Sequence, residues 1–429
     1  VAPDRGNSHL RWEIRGEHLR LTSNAPITYL MEEREFLLTE PIYLALSWGS
    51  AIEADLKTVA REFLNKTIQY WQNWVKHCNI PPLYQHQVIR SALTLKLQCF
   101  EDTGAILAAP TTSLPEELAG VRNWDYRHCW LRDSFFILTA FRNLGQFQEM
   151  EGFLKYLINI VGTYEPEHGR LHPVYSLDLS RPNIEINHEN WTGYRKSQPV
   201  RAGNQAADHV QNDVYGELLL ALAPIYKDER FLPLRNSALE KIIHTLVTYA
   251  IKSINIPDAS IWEFRGELNV HSFTNLMCWS GLKKLQGIQM HIPGLADLNL
   301  NSAIAAAECA IESCLQDNIL FAGPFKKILD ASALLLPILR YNNHIANRMT
   351  VKAIVDSLRV DNTKTNSSFL YRYRSKDDFG TPRSAFLICG FWLVEALHLI
   401  GEQKLAATCM DEALTAANHL GLLSEHYDP

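Results

Sequence analysis

The sequence predicts a mainly α-helical protein, a closed ring of antiparallel helix pairs (an α/α barrel) preceded by a small β-structured segment. Three observations predict it. Apolar residues recur at three- and four-residue spacing through about a dozen segments beyond Ala51, the period of a helix that buries one stripe. Short alternating runs, the period of a half-buried strand, are confined to residues 9–49. The connections between helical segments alternate in length, and in a ring of antiparallel hairpins alternate connections emerge at one end.

In chain order, His9-Leu-Arg-Trp-Glu-Ile-Arg15, His18-Leu-Arg-Leu-Thr22 and Ile42-Tyr-Leu-Ala-Leu-Ser-Trp48 read as strands. Sheets that small rarely stand alone, so residues 1–50 are expected to be the remnant of an N-terminal β-sandwich domain. The amphipathic run at 52–79 predicts a linker helix within 51–80. Residues 81–429 are expected to form the barrel, with helices over 83–100, 130–144, 146–162, 208–226, 231–253, 272–288, 296–316, 329–340, 345–359, 384–400 and 402–419. Helix pairs can also stack as an open solenoid, but that produces a repeat of roughly 20–50 residues, and none is present. The long connections at 101–129, 163–207, 254–271, 360–383 and 420–429 concentrate Trp, Tyr, Arg, Asp and Glu, which marks their end of the ring as the candidate site.

Composition removes several functions. Lys and Arg total 41 against 47 Asp and Glu, a formal charge of −6, without the basic excess that binding nucleic acid needs. The longest apolar run, Ala385 to Val394, falls well short of the roughly 20 residues of a membrane-spanning helix, so no membrane partner is expected. The eight cysteines form no Cys-x-x-Cys pair and sit mostly in apolar stretches, so reduced thiols and a cytoplasmic location are expected. His86, His209, His271, His398 and His419 are scattered without His-Glu-x-x-His spacing, and neither a Gly-rich phosphate loop nor a Gly-x-Ser-x-Gly elbow occurs. No metal and no cofactor are therefore expected.

Three loop clusters could carry chemistry. Arg122-Asn-Trp-Asp-Tyr-Arg-His-Cys-Trp-Leu-Arg-Asp133 combines residues whose aromatic faces stack on sugar rings with Asp and Arg that bracket vicinal hydroxyls. The same residues also read as the start of a helix, with a buried Trp130 and an ordinary Arg132–Asp133 ion pair. Pro257-Asp-Ala-Ser-Ile-Trp-Glu-Phe-Arg-Gly266 puts Glu263 beside Trp262, and an indole against a carboxyl raises its pKa by desolvation, as a general acid requires. A loop glutamate is more often exposed or salt-bridged, and Asp258, Arg265, Glu267 and His271 are alternatives or orienting partners. Leu422-Leu-Ser-Glu-His-Tyr-Asp-Pro429 offers Glu425 and Asp428 on a tail of the kind that usually frays. Residues 205–213 with Tyr215, and Tyr371-Arg-Tyr-Arg374, read as polar helix caps or pocket walls. Aromatics, arginines and isolated carboxylates on one loop face are the equipment of glycoside hydrolysis, in which two carboxyl groups flank an oxocarbenium-like transition state.

Seven motifs follow one another along the chain. They are Ala108-Ala-Pro-Thr-Thr-Ser-Leu-Pro-Glu116 with the 122–133 cluster, Gly193-Tyr-Arg-Lys-Ser-Gln-Pro-Val-Arg-Ala-Gly-Asn204 with Gln211-Asn-Asp-Val-Tyr-Gly-Glu217, Ile261-Trp-Glu-Phe-Arg-Gly266, Met277-Cys-Trp279, Asp378-Phe-Gly380, Ala385-Phe-Leu-Ile-Cys389 and Leu422-Leu-Ser-Glu425. Together they resemble glycoside hydrolase family 15, the glucoamylase-like family, in its bacterial and archaeal branch of glucoamylases, glucodextranases and trehalases. The resemblance implies an (α/α)6 barrel of six hairpins, Glu263 as general acid and Glu425 as general base. It further implies that Trp130, Arg132 and Asp133 hold the glucosyl unit in subsite −1, that Arg372 donates to another hydroxyl, and that Trp262 lines the same pocket. The implied activity is that of an inverting exo-α-glucosidase releasing β-glucose from α-glucans or maltooligosaccharides; an α,α-trehalase of the same family and a non-catalytic carbohydrate-binding protein are the alternatives. Inversion requires the two carboxyls to lie roughly 6.5–9.5 Å apart, leaving room for a water.

The chain departs from the family pattern in three places. Against that pattern, residues 1–50 are expected to supply only the last strands of the sandwich, and the barrel is expected to lack its last helix, which would leave Glu425 on an untethered end. Gly390 stands before Phe391 where the branch more often has a hydroxyl residue, a change expected to have little consequence.

Overall fold

The computed structural model describes residues 2–163, 170–182, 184–296, 298–360 and 367–428. Parts of the connections expected at 163–207, 360–383 and 420–429 (164–169, 183, 361–366 and 429) lie outside the described residues. The chain divides into two compact units, Val1–Cys78 and Asn79–Pro429.

The first unit is a four-stranded antiparallel sheet with two helices. Its strands, β1 (Asp4–Arg5), β2 (His9–Ile14), β3 (Glu17–Ser23) and β4 (Leu44–Trp48), pair in sequence order. β2 and β3 meet through Arg15 and Gly16, both at positive φ, the two-residue turn whose twist suits a hairpin. A short helix α1 (Ile27–Met31) precedes β4, whose Leu44, Leu46 and Trp48 are exposed. Asp55 caps α2 (Leu56–Lys76) by accepting from the Thr58 N–H at 2.9 Å.

The second unit is a ring of helix hairpins. After α3 (Gln85–Leu97) come α4 (Ser134–Leu144), α5 (Phe147–Thr163), α6 (Asp213–Leu222), α7 (Ser237–Ser253), α8 (Ser272–Gln286), α9 (Leu300–Glu312), α10 (Leu335–Ile338), α11 (His344–Leu358), α12 (Leu387–Leu399) and α13 (Gln403–Leu414). α7 buries Leu239, Ile242, Ile243, Leu246, Val247 and Ala250, one stripe of an outer helix, whereas every residue of α6 is buried. The inner helices follow one another around the ring: α4 packs on α6, α6 on α8, α8 on the 3-10 turn Ala331–Leu334 that leads into α10, and α10 on α12. Phe136 of α4 meets Trp392 of α12 at 6.0 Å, which completes the circuit.

The α6–α8 contact is backbone to backbone. A Cβ on Gly216 would sit 2.2 Å from the Met277 carbonyl oxygen, and one on Gly281 would sit 2.6 Å from that of Gly216, so both glycines are steric requirements. Gly390 of α12 is another: a Cβ there would meet the Ser368 carbonyl at 2.6 Å, so its replacement of a hydroxyl residue permits a close approach rather than being neutral. Asn236, Asn299 and Asn343 cap α7, α9 and α11, each accepting from a first-turn N–H; such caps contribute about 1 kcal/mol apiece.

The long connections lie after α3, α5, α7, α9, α11 and α13; residues 313–330, after α9, join the set that the sequence suggested. Short strand pairs stitch them: β5 (Cys129–Trp130) with β6 (Val174–Tyr175), β7 (Ile186–His188) with β8 (Val200–Ala202), β9 (Leu315–Gln316) with β10 (Ile319–Leu320), and β11 (Ala385–Phe386) with β12 (His426–Tyr427). The last pair corrects the expectation of an untethered end. The Leu387 N–H donates to the Glu425 carbonyl at 3.0 Å, the His426 ring stacks on Phe386 at 4.5 Å, and Tyr427 stacks on Phe369 at 4.9 Å. None of the eight cysteines is joined in a disulfide; Cys309 is exposed, against the expectation of burial. No helix among the described residues is long and apolar enough to cross a membrane.

Candidate active site

The 122–133 segment is anchored from below by Asp125, which is 1% exposed. Its carboxylate accepts from the Gly203 N–H at 2.9 Å, from the Arg127 N–H at 3.2 Å, and from Arg127 Nε and Nη2 at 2.8 and 2.7 Å. Burial alone would raise the Asp125 pKa, but hydrogen bonds from Arg127, His128 and Gly203 outweigh it and hold the carboxyl far below its usual range. Asn204 Nδ2 adds a bond to the Asp125 carbonyl, so this loop and the 200–204 loop are locked together.

On that frame stand two rings. Trp130 is 4% exposed and packs on Val174, Ala206 and Ala207; Tyr126 meets it edge-on, with centroids 5.6 Å apart and planes at 89°. The indole Nε1–H donates to Glu263 Oε1 at 2.7 Å, and the Tyr126 hydroxyl donates to the Glu425 carboxyl at 3.1 and 3.2 Å. Each predicted carboxyl is thus held by one ring of a single T-shaped pair.

Glu263 has φ +60°, and Ser260 at the start of the same turn has φ +54°. A left-handed backbone costs a non-glycine residue about 1–2 kcal/mol and persists where the surroundings impose it. Here the surroundings are explicit. The Asp258 carboxylate accepts from the Asn212 N–H at 2.8 Å and from Thr274 Oγ1 at 2.9 Å, and the Ala259 N–H donates to the Val210 carbonyl at 2.8 Å. The turn delivers Glu263 Oε1 to three donors: Trp130, Arg132 Nη1 at 3.1 Å and Gln211 Nε2 at 3.3 Å. Oε2 receives no hydrogen bond among the described residues.

The electrostatics reverse the sequence expectation for Glu263. Burial raises its pKa, but Arg132, His209, Trp130 and Gln211 together pull it below the ordinary glutamate value. Trp262 does not desolvate it. That indole donates to both oxygens of Asp330, at 2.9 and 2.8 Å, and its ring packs among Tyr373, Phe386 and Trp392. Glu425 is exposed as a residue, yet its carboxyl is crowded; burial first and the Glu116 charge second push its pKa to about 7, more than Tyr126 and Arg372 offset.

Behind Glu425 lies a buried ion network. Arg122 reaches Asp377 at 2.5 Å and Glu116 at 3.7 Å, and Arg372 reaches Glu116 at 3.5 Å and Asp377 at 3.9 Å; the His426 ring, kept neutral by burial, lies 3.4 Å from Glu116. The structure therefore gathers Trp130, Arg132 and Glu263, with Asp133 3.7 Å from Arg132, and brings Glu425 to the same rings through Tyr126, with the Arg372 charge acting on Glu425. Trp262 stands apart, turned to Asp330. Asp258 is fully buried and holds the turn, which removes it as an alternative to Glu263. Arg265 is committed to Glu185 at 3.0 Å. A separate cleft of about 290 Å³, lined by Phe264, Asn269, Lys326, Asp330 and Tyr373 among others, contains none of the seven candidate residues.

Reading the sequence missed Tyr126, Gln211, Glu116 and Asp125 as individuals, although each lies in a motif that it singled out. Nothing in spacing announces that Tyr126 meets a residue 299 positions away.

The model of Glycosyl hydrolases family 15 matches residues 82–419. A trehalase of Thermoplasma acidophilum is 33% identical over 388 residues, 87% of this chain and 63% of that protein. A trehalase of Mycolicibacterium smegmatis is 34% identical over 433 residues, 96% of this chain and 62% of that protein. The chain thus spans 62–63% of the length of these relatives. Among solved structures, a bacterial glucoamylase complexed with acarbose aligns with a TM-score of 0.64 at 16% identity, covering 98% of this chain and 68% of that one. A wild-type glycosidase aligns at 0.58 with 17% identity, covering 80% and 85%. At such identities the likeness is one of fold.

Proposed function

The chain belongs to glycosyl hydrolases family 15, and from that premise we propose that it hydrolyses the α,α-1,1 bond of trehalose with inversion at one anomeric carbon. The observation that most supports the chemistry is the pair of carboxyls, Glu263 and Glu425, held by the two rings of one aromatic pair. The names of the relatives at 33% and 34% identity support the substrate. The sequence expectation put α-glucans first; those names turn the order round, and maltooligosaccharides become the second substrate class to test.

In this reading Glu263 delivers a proton from Oε2 to the glycosidic oxygen while Glu425 removes one from a water that attacks the opposite face of the sugar. One C–O bond breaks and one forms; the attacked ring leaves as β-glucose and the other retains its α configuration. Trp130, Arg132 and Asp133 hold the attacked ring, Arg372 donates to a further hydroxyl, and Trp262 backs the pocket wall. The division into 1–50, 51–80 and a barrel over 81–429 belongs to the same proposal. Proton NMR of fresh product, before mutarotation, tests it: equal α- and β-glucose from trehalose is expected. Release from maltose and maltoheptaose but not trehalose would move the assignment to a glucoamylase-like enzyme, and sugar binding without release would leave a binding protein.

A further inference from the structure

Of the residues that the sequence singled out around Glu263, Glu267 and His271 take no part in the carboxyl pair, and both line the separate cleft of about 290 Å³. Its walls are three long connections of the barrel, 264–271 before α8, 322–330 after α9 and 373–378 after α11. Hydrogen bonds fasten these walls to one another. The Ser272 N–H donates to the Ala322 carbonyl at 2.8 Å, and the Ala322 N–H donates to the Ile328 carbonyl at 2.9 Å, which closes a tip over 323–327. A Cβ on Gly323 would sit 2.5 Å from the Val270 carbonyl oxygen, so the tip lies directly on the first wall. Asp377 and Gly380 exchange backbone hydrogen bonds at 3.1 and 3.2 Å, and the Asp378 carboxylate in the turn between them accepts from the Arg265 N–H at 2.7 Å. The cleft is therefore shaped before anything enters it.

Its lining suits a neutral ring that carries hydroxyls. Phe264 and Tyr373, with centroids 5.7 Å apart, give it aromatic surface, and Phe325, at the middle of the tip, is 92% exposed. Glu267 and Asp378 supply acceptors, Lys326 and Lys376 donors, and Asn269 and Ser375 both. His271 is 7% exposed; burial and then the Lys326 charge push its pKa down to about 4, so its ring is neutral. That ring donates to the Asp258 backbone, which leaves Nε2, without a partner among the described residues, as a bare acceptor in the wall. Lys326 and Lys376 are matched by Glu267 and Asp378, with Asp330 and Asp377 in addition, so the cleft holds no excess of positive charge for an anion. Its volume stands at the small end of the roughly 300–1,000 Å³ of ligand pockets, room for one ring rather than for an oligosaccharide.

We propose that this cleft is a second sugar site, separate from the carboxyl pair, that takes one glucopyranosyl ring with an apolar face on the aromatic lining and its hydroxyls on Asp378, Asn269 and Lys326. The choice of glucose rests on the proposed reaction, whose substrate and product both carry that ring; the site itself does not depend on which carboxyl is the acid.

Fluorine NMR of the chain labelled with 4-fluorophenylalanine tests it, with the Phe325 resonance assigned by its loss in Phe325→Leu. Glucose is titrated into the wild type, which needs no turnover, and trehalose and maltose into Glu263→Gln. The Phe325 resonance is expected to shift saturably with glucose, half-saturating at about 1–10 mM. A disaccharide that half-saturates about tenfold lower than glucose identifies substrate as the source of the ring, and glucose alone identifies product; either supports the site. Asp378→Asn keeps an acceptor for the Arg265 N–H and is expected to raise half-saturation about fivefold. Phe325→Ala is expected to leave turnover of dilute trehalose unchanged. No shift with any of the sugars up to about 100 mM overturns the proposal. So does a shift with inorganic phosphate at lower concentration than with glucose, which would make the cleft an anion site. Unchanged half-saturation in Asp378→Asn with a wild-type melting temperature places the sugar elsewhere, and a tenfold loss of turnover in Phe325→Ala makes the cleft part of the catalytic pocket; each refutes a separate site. Failure to cut trehalose with the Phe325 shift intact would count against the proposed reaction and not against the site.

Discussion

Asp125 is the residue on which the paired rings depend, and its removal has a calculable cost. Asp125→Ala strips the acceptor from the Gly203 N–H at 2.9 Å and from the Arg127 N–H at 3.2 Å, in a place only 1% exposed. A hydrogen bond to a buried charge is worth about 1.5–3 kcal/mol. The Arg127 side chain is 54% exposed, so its ion pair adds only about 0–1 kcal/mol. The sum is about 3–7 kcal/mol. Spread over a unit of about 350 residues, with an unfolding entropy of about 2.1 cal/mol/K per residue, it lowers the melting temperature by about 4–10 °C. Asp125→Asn keeps an acceptor for Gly203 and loses about half as much. The pH dependence fixes the cause. Because the folded carboxyl titrates far below the ordinary 3.8, its stabilisation is present above that value and fades as the pH falls through it, so the gap between wild type and Asp125→Ala narrows below about pH 4. Calorimetry at pH 7, 5 and 3 measures this, and trehalose turnover falls about 100-fold as the rings lose their frame. Equal melting temperatures at pH 7, or a gap that is the same at pH 7 and 3, would refute the argument.

Glu263→Gln and Glu425→Gln each lower kcat on trehalose by about 10²–10⁴ with a smaller change in KM; retention of a tenth of wild-type turnover in either removes that residue from its role. Trp130→Phe deletes the 2.7 Å donor to Glu263 and raises the lower limb of kcat/KM by about one pH unit; a limb that stays put contradicts it. Gly216→Ala forces a Cβ against the Met277 carbonyl and destabilises by about 1–3 kcal/mol or more, read as a lowered melting temperature; a wild-type melt shows that α6 and α8 can separate freely.

The helices were legible wherever one stripe is buried, as in α7, because that burial writes a period into the sequence. Their ends were less so. The expected helix at 231–253 begins at Ser237, since Glu229–Leu234 is a 3-10 turn containing Pro233, and the one expected at 329–340 resolves into the Ala331–Leu334 turn and four residues of α10 around Pro337. The tether of Glu425 is a strand pair two residues long, too short for alternation to reveal. Adjacency misled most at Glu263. The chain turns through a left-handed residue there, so the indole next in sequence faces Asp330, and the indole in contact comes from 133 positions away. No glycine marks that turn, and the buried hydrogen bonds that impose it are long-range.

The resting electrostatics decide how the two carboxyls share one proton. Glu425, at about 7, keeps its proton where Glu263, held below the ordinary 4.5 by Arg132 and the indole, has lost its own. In the proposed reaction that is the distribution left after hydrolysis, when the acid has given a proton and the base has taken one from water, and it is the reverse of what the next turnover needs. The singly protonated site is a pair of tautomers in fixed ratio, so kcat/KM rises through the lower pKa and falls through the upper one whichever tautomer reacts. Because Glu425 holds the proton more firmly than Glu263, the reactive tautomer is the minor form of the free protein. Bound sugar shifts that ratio, because it excludes water from Glu263 and its hydroxyls compete for the Arg132 donor, and both effects raise the acid's pKa. The upper limb of kcat/KM should therefore lie near pH 7, and the lower limb of kcat should lie above the lower limb of kcat/KM. Rates on trehalose across pH 3–9, below and above saturation, separate the two profiles. Coincident lower limbs would mean that sugar leaves the Arg132–Glu263 pair intact, and the proton would then have to reach the glycosidic oxygen from another group.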